Sequence, residues 1–210
     1  MIPMATSTGT RRNLHALREH SWGLLLTPLN RQRHGFPLYG IDNGAWGAYC
    51  RQVEWNAVMR PRFEQLVQAE GRDAMWVVAP DIVCGGIASL ERSLEWLPHL
   101  LNLTPRVLLA VQNGMEPNHL RQYLSRRVGL FVGGDTKWKL STMARWGQLA
   151  AETGAWCHVG RVNSARRIHQ CVLAGVHSFD GTSASRYATT VPLLDAAARR
   201  QRLPLVWEKL

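Results

Sequence analysis

The 210-residue sequence predicts an α/β protein with one domain, a compact (β/α)8 barrel of the TIM type over residues 1–210. Short apolar runs alternate with longer helical patterns, which is typical of βαβ units and a parallel sheet. An aspartate or a glutamine stands at the end of four of these runs, in three cases with a glycine within two residues, and barrel enzymes carry their chemistry at such strand ends. The chain is shorter than the usual length of about 250 residues, so we expect few additions to the barrel. A doubly wound open sheet is the alternative.

Eight apolar runs are the predicted strands, because each has the length and the bounding turn residues of a buried strand. They are Ile2–Met4, Trp22–Leu26, Leu38–Asp42, Met75–Pro80, Val107–Gln112, Gly129–Val132, Trp156–Val159 and Ser178–Asp180. The segment Thr27–Phe36 is rich in Pro, Asn, Arg and Gly, and it predicts a loop in the place of one barrel helix.

Seven segments are the predicted helices. They are Thr10–Glu19, Ala57–Glu70, Ser89–Leu101, Pro117–Ser125, Trp138–Thr153, Ser164–Ala174 and Pro192–Arg200. Thr10 is the predicted N-cap of the first helix, and Pro117 suits a first helical turn. Gly154 and Gly175 each follow a helix, where a C-cap glycine belongs.

The composition indicates a globular protein with a polyanionic partner. Hydrophobic residues make up 46% of the chain and charged residues 19%, and the net charge is +10. Most of the basic residues are arginines, whose guanidinium group suits phosphate geometry, so the sequence favours a nucleic acid as partner. The longest apolar runs are too short to span a bilayer, and the N-terminal segment lacks the apolar stretch of a signal peptide. We therefore expect a cytoplasmic protein with no membrane association.

The cysteines and histidines predict no metal site. Four cysteines lie at positions 50, 84, 157 and 171, and no two have the spacing of a zinc knuckle. His158, His169 and His177 are too scattered for a metal trio, and we interpret them as core or surface residues.

Two aspartates at predicted strand ends suit glycosyl transfer. One carboxylate can attack an anomeric carbon while a second carries the proton. Asp42, in Ile-Asp-Asn-Gly, and Asp180, in Phe-Asp-Gly-Thr, are the natural pair. The alternative is that each aspartate caps its own turn.

Two further strand ends suit the recognition of a base. Asp81 and Gln112 together offer the acceptors and donors that match the edge of a guanine-like base. Gly133 and Gly134 let the backbone approach a ligand without a side chain in the way. A helix that starts near Thr136 would direct N–H groups at the same place.

Taken in order, five segments resemble the catalytic core of the tRNA-guanine transglycosylases, the queuine and archaeosine enzymes. The segments are Asp42-Asn43-Gly44, Pro80-Asp81-Ile82-Val83, Val111-Gln112-Asn113-Gly114, Val132-Gly133-Gly134 and Gly175–Asp180 with Arg186 after it. Each motif is short, so the specificity lies in the ordered set, which spans roughly residues 38–187.

The sequence departs from that family in ways that bear on the substrate. No clustered cysteines follow Asp180, so the family's zinc-binding subdomain has no counterpart, and no RNA-binding appendix is evident. The chain most resembles the bacteriophage-type and bacterial DNA-modifying branch, which replaces guanine in DNA by a 7-deazaguanine of the preQ0 type. This resemblance implies a DNA partner and no cofactor.

The resemblance also implies the role of each site residue. Asp180 is the nucleophile and Asp42 the general acid and base. The base is read by Asp81, Gln112, Gly133 and Gly134, and Arg186 lies near the family's following arginine. Besides Arg186, the predicted nucleic-acid-binding residues are Arg161 and, in the loop Thr27–Phe36, Arg31 and Arg33. The sequence leaves open an RNA substrate, a non-catalytic nucleic-acid-binding protein on a degenerate barrel, and a barrel enzyme acting on sugar phosphates. It also leaves open a partner protein or a homo-oligomer.

Overall fold

A computed structural model describes residues 1–199, and its eight strands form a closed parallel barrel in chain order, with the last strand paired to the first. The strands are β1 Ile2–Thr6, β2 Gly23–Leu26, β3 Tyr39–Ile41, β4 Val77–Val78, β5 Val107–Val111, β6 Val128–Val132, β7 Cys157–Val159 and β8 Ser178–Gly181. This confirms the predicted (β/α)8 barrel and excludes the open sheet.

Helices follow the strands around the outside of the barrel. They are α1 Arg11–Glu19, α2 Ala45–Arg51, α3 Trp55–Val58, α4 Arg60–Glu70, α5 Ile87–Leu101, α6 Pro117–Leu120, α7 Thr136–Thr153, α8 Ala165–Leu173, α9 Ser183–Arg186 and α10 Val191–Arg199. The loop predicted at Thr27–Phe36 holds no helix and contains one isolated bridge between Thr27 and Asn30. Within residues 1–199, no helix is both long and apolar enough to cross a bilayer.

Several helix bounds differ from the prediction. The predicted helix Ala57–Glu70 is two helices, α3 and α4, separated at Met59, and Pro117–Ser125 shortens to α6 followed by a 3-10 turn. α2 and α9 were not predicted, because both are too short to show a helical period in the sequence. The predicted end of the last helix, Arg200, lies outside the described residues.

The helix caps explain where several helices begin and end. Thr10 occupies the N-cap of α1 as predicted, although its side chain makes no cap hydrogen bond. α7 begins at Thr136, before the predicted Trp138, because the Asp135 side chain accepts from the backbone N–H of Trp138. Gly154 adopts the left-handed conformation expected of a C-cap glycine, with φ of +67°.

Two layers of apolar side chains hold the barrel, and alternate residues along each strand enter different layers. The interior is filled by Met4, Leu25, Trp76, Val78 and Leu108, while the neighbours of these residues pack against the helices. The Trp76 ring fits inside because residue 40 is glycine, where a Cβ atom would lie 2.6 Å from the ring. This filled interior forms the floor of the cavity at the carboxyl ends of the strands.

Candidate active site

A cavity of about 910 Å³ opens at the carboxyl ends of the strands. Every strand, or the loop after it, contributes a residue to its lining: Thr6, Thr27, Asp42, Asp81, Gln112, Gly133, Arg161 and Asp180. The cavity therefore brings together the predicted catalytic pair and the predicted base-reading groups.

Asp180 lies on β8, where Phe179 points outward to the helices and the carboxylate points into the barrel. The residue is 4% exposed, and its Oδ2 atom lies 3.0 Å from Nε2 of His158. Its Oδ1 atom accepts from the backbone N–H of Arg161 at 3.3 Å. Gly181 allows the next turn to approach the strand, because a Cβ atom there would lie 2.4 Å from the Val162 carbonyl oxygen. Both oxygens of the predicted nucleophile thus contact a nitrogen atom.

His158, which the sequence predicts as a core or surface residue, contacts the predicted nucleophile. It is fully buried, as a core residue should be, but its ring reaches the carboxylate of Asp180. The second ring nitrogen, Nδ1, lies 2.8 Å from the Ser178 hydroxyl. Burial lowers the pKa of His158, despite the opposing effect of Asp180, and so favours the neutral ring. No local signal in the sequence indicates this contact, because it depends on the register in which His158 on β7 pairs with Ser178 on β8, two residues before Asp180.

Asp42 follows β3 and has a strongly perturbed carboxyl group. Burial, then the charges of Asp180 and Asp81, raise its pKa to about 7. The backbone N–H of Gly44, at 3.4 Å from Oδ1, opposes the shift but does not cancel it. At neutral pH this carboxyl group can therefore give or take a proton.

Asp81 follows β4 and is held on both oxygens. The Asn43 amide donates to Oδ1 at 2.9 Å, and the Gln112 amide donates to Oδ2 at 3.0 Å. Burial raises the pKa of Asp81 to about 6, while donation from Asn43 and the charge of Arg92 pull it down. Asn43 is itself buried and fixed by the Ala79 carbonyl, so it orients Asp81, a role that the sequence analysis did not assign.

Gln112 turns its nitrogen away from the cavity. Nε2 lies 2.8 Å from the Ile82 carbonyl oxygen and 2.7 Å from the Ser89 hydroxyl, besides the contact with Asp81. A carbonyl and a carboxylate at the same amide atom require that atom to be the nitrogen. Oε1 has no partner within residues 1–199 and, since it is not closed off from solvent, it presents an acceptor to the cavity.

The two predicted base-reading glycines differ in what they can offer. The N–H of Gly133 donates to the Val111 carbonyl at 2.9 Å and is therefore part of the sheet. The N–H of Gly134 has no partner in the described part of the chain. Gly134 has a φ of +68°, and a Cβ atom there would lie 2.5 Å from the ring of Trp138. Only glycine fits, and its N–H is the free donor of this strand end.

Of the four predicted nucleic-acid-binding arginines, two line the cavity. The Arg161 guanidinium donates to the Gly134 carbonyl and lies 4.4 Å from the ring centroid of Trp46, and Arg186 is exposed at the rim. The structure does not bring Arg31 or Arg33 to the cavity.

Arg31 and Arg33 are placed elsewhere by their partners. Arg33 pairs with Glu70 at 3.6 Å and stacks on Tyr39, the first residue of β3, so it lies at the barrel end opposite the cavity. Arg31 donates to the Gln65 side chain on α4. The loop that carries both residues passes along the outside of the barrel at these positions.

An aromatic pair on α2 stands at the rim of the cavity. Trp46 and Tyr49 stack with ring centroids 5.6 Å apart and planes at 24°. The two residues are 46% and 58% exposed, which is high for large rings beside a pocket. They therefore add an open aromatic surface at the cavity rim.

Among residues 1–199, no group of three or more His, Cys, Asp or Glu side chains is arranged to hold a metal ion. Cys157 and Cys171 are buried, and burial raises the pKa of both thiols, that of Cys171 to about 12. The two remaining cysteines, Cys50 and Cys84, are exposed, and neither residue is a partner in a disulfide.

No protein-family model matches the chain, and no curated protein matches it. Among solved structures, the chain is similar to the protein CitE from Mycobacterium tuberculosis in complex with magnesium and pyruvate. The TM-score is 0.49 at 10% identity, over 96% of this chain and 92% of that chain. A structure of the same protein with magnesium and acetate gives a TM-score of 0.48 at 10% identity, over 97% and 92%.

Proposed function

We propose that this protein is a base-exchanging transglycosylase that replaces guanine in DNA by a 7-deazaguanine base through a covalent glycosyl-aspartate intermediate. The observation that carries the proposal is a single cavity that holds Asp42 and Asp180 beside the paired Asp81 and Gln112. Its volume of about 910 Å³ is at the upper end of the range for small-molecule sites, and a flipped-out nucleotide can be accommodated.

The carboxylate pair supports a double displacement. Asp180 attacks C1′ of the target nucleotide, a C1′–O bond forms, and the C1′–N9 bond to guanine breaks. The proton of Asp42 passes to the leaving guanine. The incoming 7-deazaguanine then gives its N9 proton to Asp42, its nitrogen attacks C1′, and the ester bond to Asp180 breaks. The configuration at C1′ is retained after two inversions.

The pKa of Asp42 supports its role as acid and base. A general acid and base works best when its pKa is near the working pH, and that of Asp42 is raised to about 7. Two carboxyl groups in one cavity also repel each other when both are ionised. This favours one of the pair, Asp42, as proton carrier and the other, Asp180, as nucleophile. The glycosidic bond energy is conserved in the exchange, so the chemistry needs no nucleotide cofactor.

The base-reading groups match the edge that guanine and 7-deazaguanine share. That edge has two neighbouring donors, N1–H and the N2 amino group, and one acceptor, O6. Asp81 and Oε1 of Gln112 are two neighbouring acceptors, and the N–H of Gly134 is a free donor. The atoms that differ between the two bases, at position 7, lie outside this pattern.

The charge of the chain supports a nucleic-acid substrate. The net charge is +10, and Arg161 and Arg186 lie on the cavity that would receive the nucleotide. A guanine in duplex DNA must leave the stack to reach the carboxylates, and basic side chains at the rim would hold the flanking phosphates.

Base exchange tests the proposal directly. Guanine-containing DNA and a matched RNA are incubated with the protein and preQ0, digested, and the nucleosides identified by mass spectrometry. We expect a deazaguanine deoxynucleoside with the wild type and with Asp73→Asn, an exposed carboxylate outside the cavity, and none with Asp180→Asn. Product in RNA alone would move the protein to the RNA-modifying branch. No product from either polymer, with DNA binding unchanged in Asp180→Asn, would identify a non-catalytic binding protein.

A further inference from the structure

A chain of hydrogen bonds, fully buried at Ser178 and His158, lies behind Asp180. Trp156 Nε1–H donates to the Ser178 hydroxyl at 2.9 Å, the hydroxyl lies 2.8 Å from Nδ1 of His158, and Nε2 of His158 lies 3.0 Å from Oδ2 of Asp180. None of the three supporting side chains, Trp156, Ser178 and His158, lines the cavity.

The chain fixes where the proton sits on the histidine. The carboxylate oxygen Oδ2 that faces Nε2 of His158 can only accept, and the Ser178 oxygen accepts from Trp156, so the Ser178 hydroxyl donates its proton to Nδ1. A neutral imidazole that accepts at Nδ1 carries its proton on Nε2. The N–H therefore points at Oδ2 of Asp180, and every polar atom of the chain is paired.

The ring of His158 has little freedom to turn away. It stacks on Phe131 with centroids 5.1 Å apart and lies 4.5 Å from the centroid of Trp76. Residue 160 must be glycine for this packing, since a Cβ atom there would lie 2.7 Å from Phe131 and 3.3 Å from Oδ2 of Asp180. The donor is held at the carboxylate by packing as well as by the hydrogen bond to Ser178.

We propose that His158 is a positioning residue, which directs Oδ1 of Asp180 at the substrate and keeps the proton of the carboxyl pair on Asp42. The inference rests on the proposed function. Oδ2 faces a fully buried ring, whereas Oδ1 has only a 3.3 Å contact with the backbone of Arg161. An N–H donor favours the ionised form of a carboxyl group, and Asp42 has no such side-chain donor within residues 1–199.

The same contact serves both displacements. When Oδ1 bonds to C1′, Oδ2 becomes the carbonyl oxygen of the ester and keeps the N–H of His158. When the ester breaks, the charge returns to the carboxylate and the hydrogen bond strengthens, so departure of Asp180 is assisted. The other titratable groups that interact with this carboxylate are Asp42, Lys139 and Cys171, and Lys139 is buried with its Nζ on the Gly160 carbonyl.

The test is the pH dependence of base exchange in two matched variants. His158→Phe keeps a ring between Phe131 and Trp76 but removes the donor, whereas His158→Gln keeps an N–H donor. We expect His158→Phe to lower kcat by about ten- to a hundredfold, to leave KM for the base nearly unchanged and to move the acid limb of the profile to higher pH. His158→Gln should retain more activity and the wild-type acid limb. His169→Phe, on the exposed side of α8, is the control.

Equal losses in His158→Phe and His158→Gln with an unmoved acid limb would overturn the inference, because the side chain would then only pack the barrel. If His158→Phe does not fold, Ser178→Ala replaces it; the expected shift has the same direction, and an unmoved limb overturns the inference. If the wild type exchanges no base in DNA or RNA, the proposed function fails. In that case 13C NMR of the Asp180 carboxyl decides: protonation at a higher pH in the variant supports the inference, and identical titration overturns it.

Discussion

The cavity places Asp42 under the influence of Asp180: burial, and then the charge of Asp180, raise the pKa of Asp42 to about 7. Asp42 follows β3 and Asp180 lies on β8, strands that are far apart in the sequence and are separated in the closed barrel by β1 and β2. Their interaction is therefore a property of the closed sheet, and it can be measured without any substrate.

Removing the charge of Asp180 should lower the pKa of Asp42. In Asp180→Asn one of the two carboxylate charges that raise this pKa is gone, while burial and the charge of Asp81 remain. We expect a value below 7 but above that of an exposed aspartate, read from the 13C shift of the Asp42 carboxyl during an NMR titration. Asp73→Asn, on the surface, should leave it unchanged. An equal pKa in wild type and Asp180→Asn would show that the two side chains are not coupled.

Replacing Asp42 by asparagine should increase the free energy of unfolding at high pH. The pKa of Asp42 is about 7 in the folded state, whereas its ordinary value, expected in the unfolded chain, is 3.8. Between these pH values the folded state binds more protons than the unfolded state, so the protein loses stability as the pH rises. Asp42→Asn removes that loss and should stabilise the protein at pH 8, on the order of 2–4 kcal/mol, with little effect at pH 3. Urea unfolding at the two pH values measures it, and a loss of stability at pH 8 would contradict it.

The strand end at Gly134 should not tolerate a side chain. In Gly134→Ala the new Cβ atom would meet Trp138 at 2.5 Å and the Asn113 side chain at 2.8 Å, at a φ of +68°. We expect a loss of about 1–3 kcal/mol of stability and a rise in KM for the incoming base, since the free N–H would move. Gly35→Ala is the matched control, because Gly35 has a φ of +73° with nothing within 4 Å of the added atom. Similar KM values for the incoming base in the two variants would show that Gly134 does not contribute to base recognition.

Much of the barrel could be predicted from the sequence because buried parallel strands leave a local signal, an apolar run that ends in turn residues. The four strand-end residues Asp42, Asp81, Gln112 and Asp180 follow such runs, and closure of the sheet brings them to one cavity. Their pairings had no local signal. The hydrogen bonds from Gln112 to Asp81 and from His158 to Asp180 depend on the register between strands.

The position of Arg33 shows why the paths of the loops were harder to predict from the sequence than the strands. The place of this residue in the loop Thr27–Phe36 suggested a phosphate contact, but the path of the loop takes it to Tyr39 and Glu70 at the opposite end of the barrel. A loop has no periodicity that fixes which side of the barrel it passes. The helix α2 was missed for a related reason, since its seven residues are too few to show an apolar stripe.

Arg186 and Arg33 lie at different places on the barrel, so we expect their substitution to affect DNA binding differently. Arg186 lies exposed on the cavity rim with no carboxylate partner among residues 1–199, whereas Arg33 is paired with Glu70 away from it. Arg186→Gln should weaken DNA binding and reduce the slope of log affinity against log salt by about one, as expected for the loss of one phosphate contact. Arg33→Gln removes the same charge and should leave the slope unchanged. Fluorescence anisotropy with a labelled DNA at several salt concentrations measures both. Equal losses of DNA affinity in the two variants would mean that the affinity depends only on the net charge of the protein. The DNA backbone would then not lie at the cavity rim.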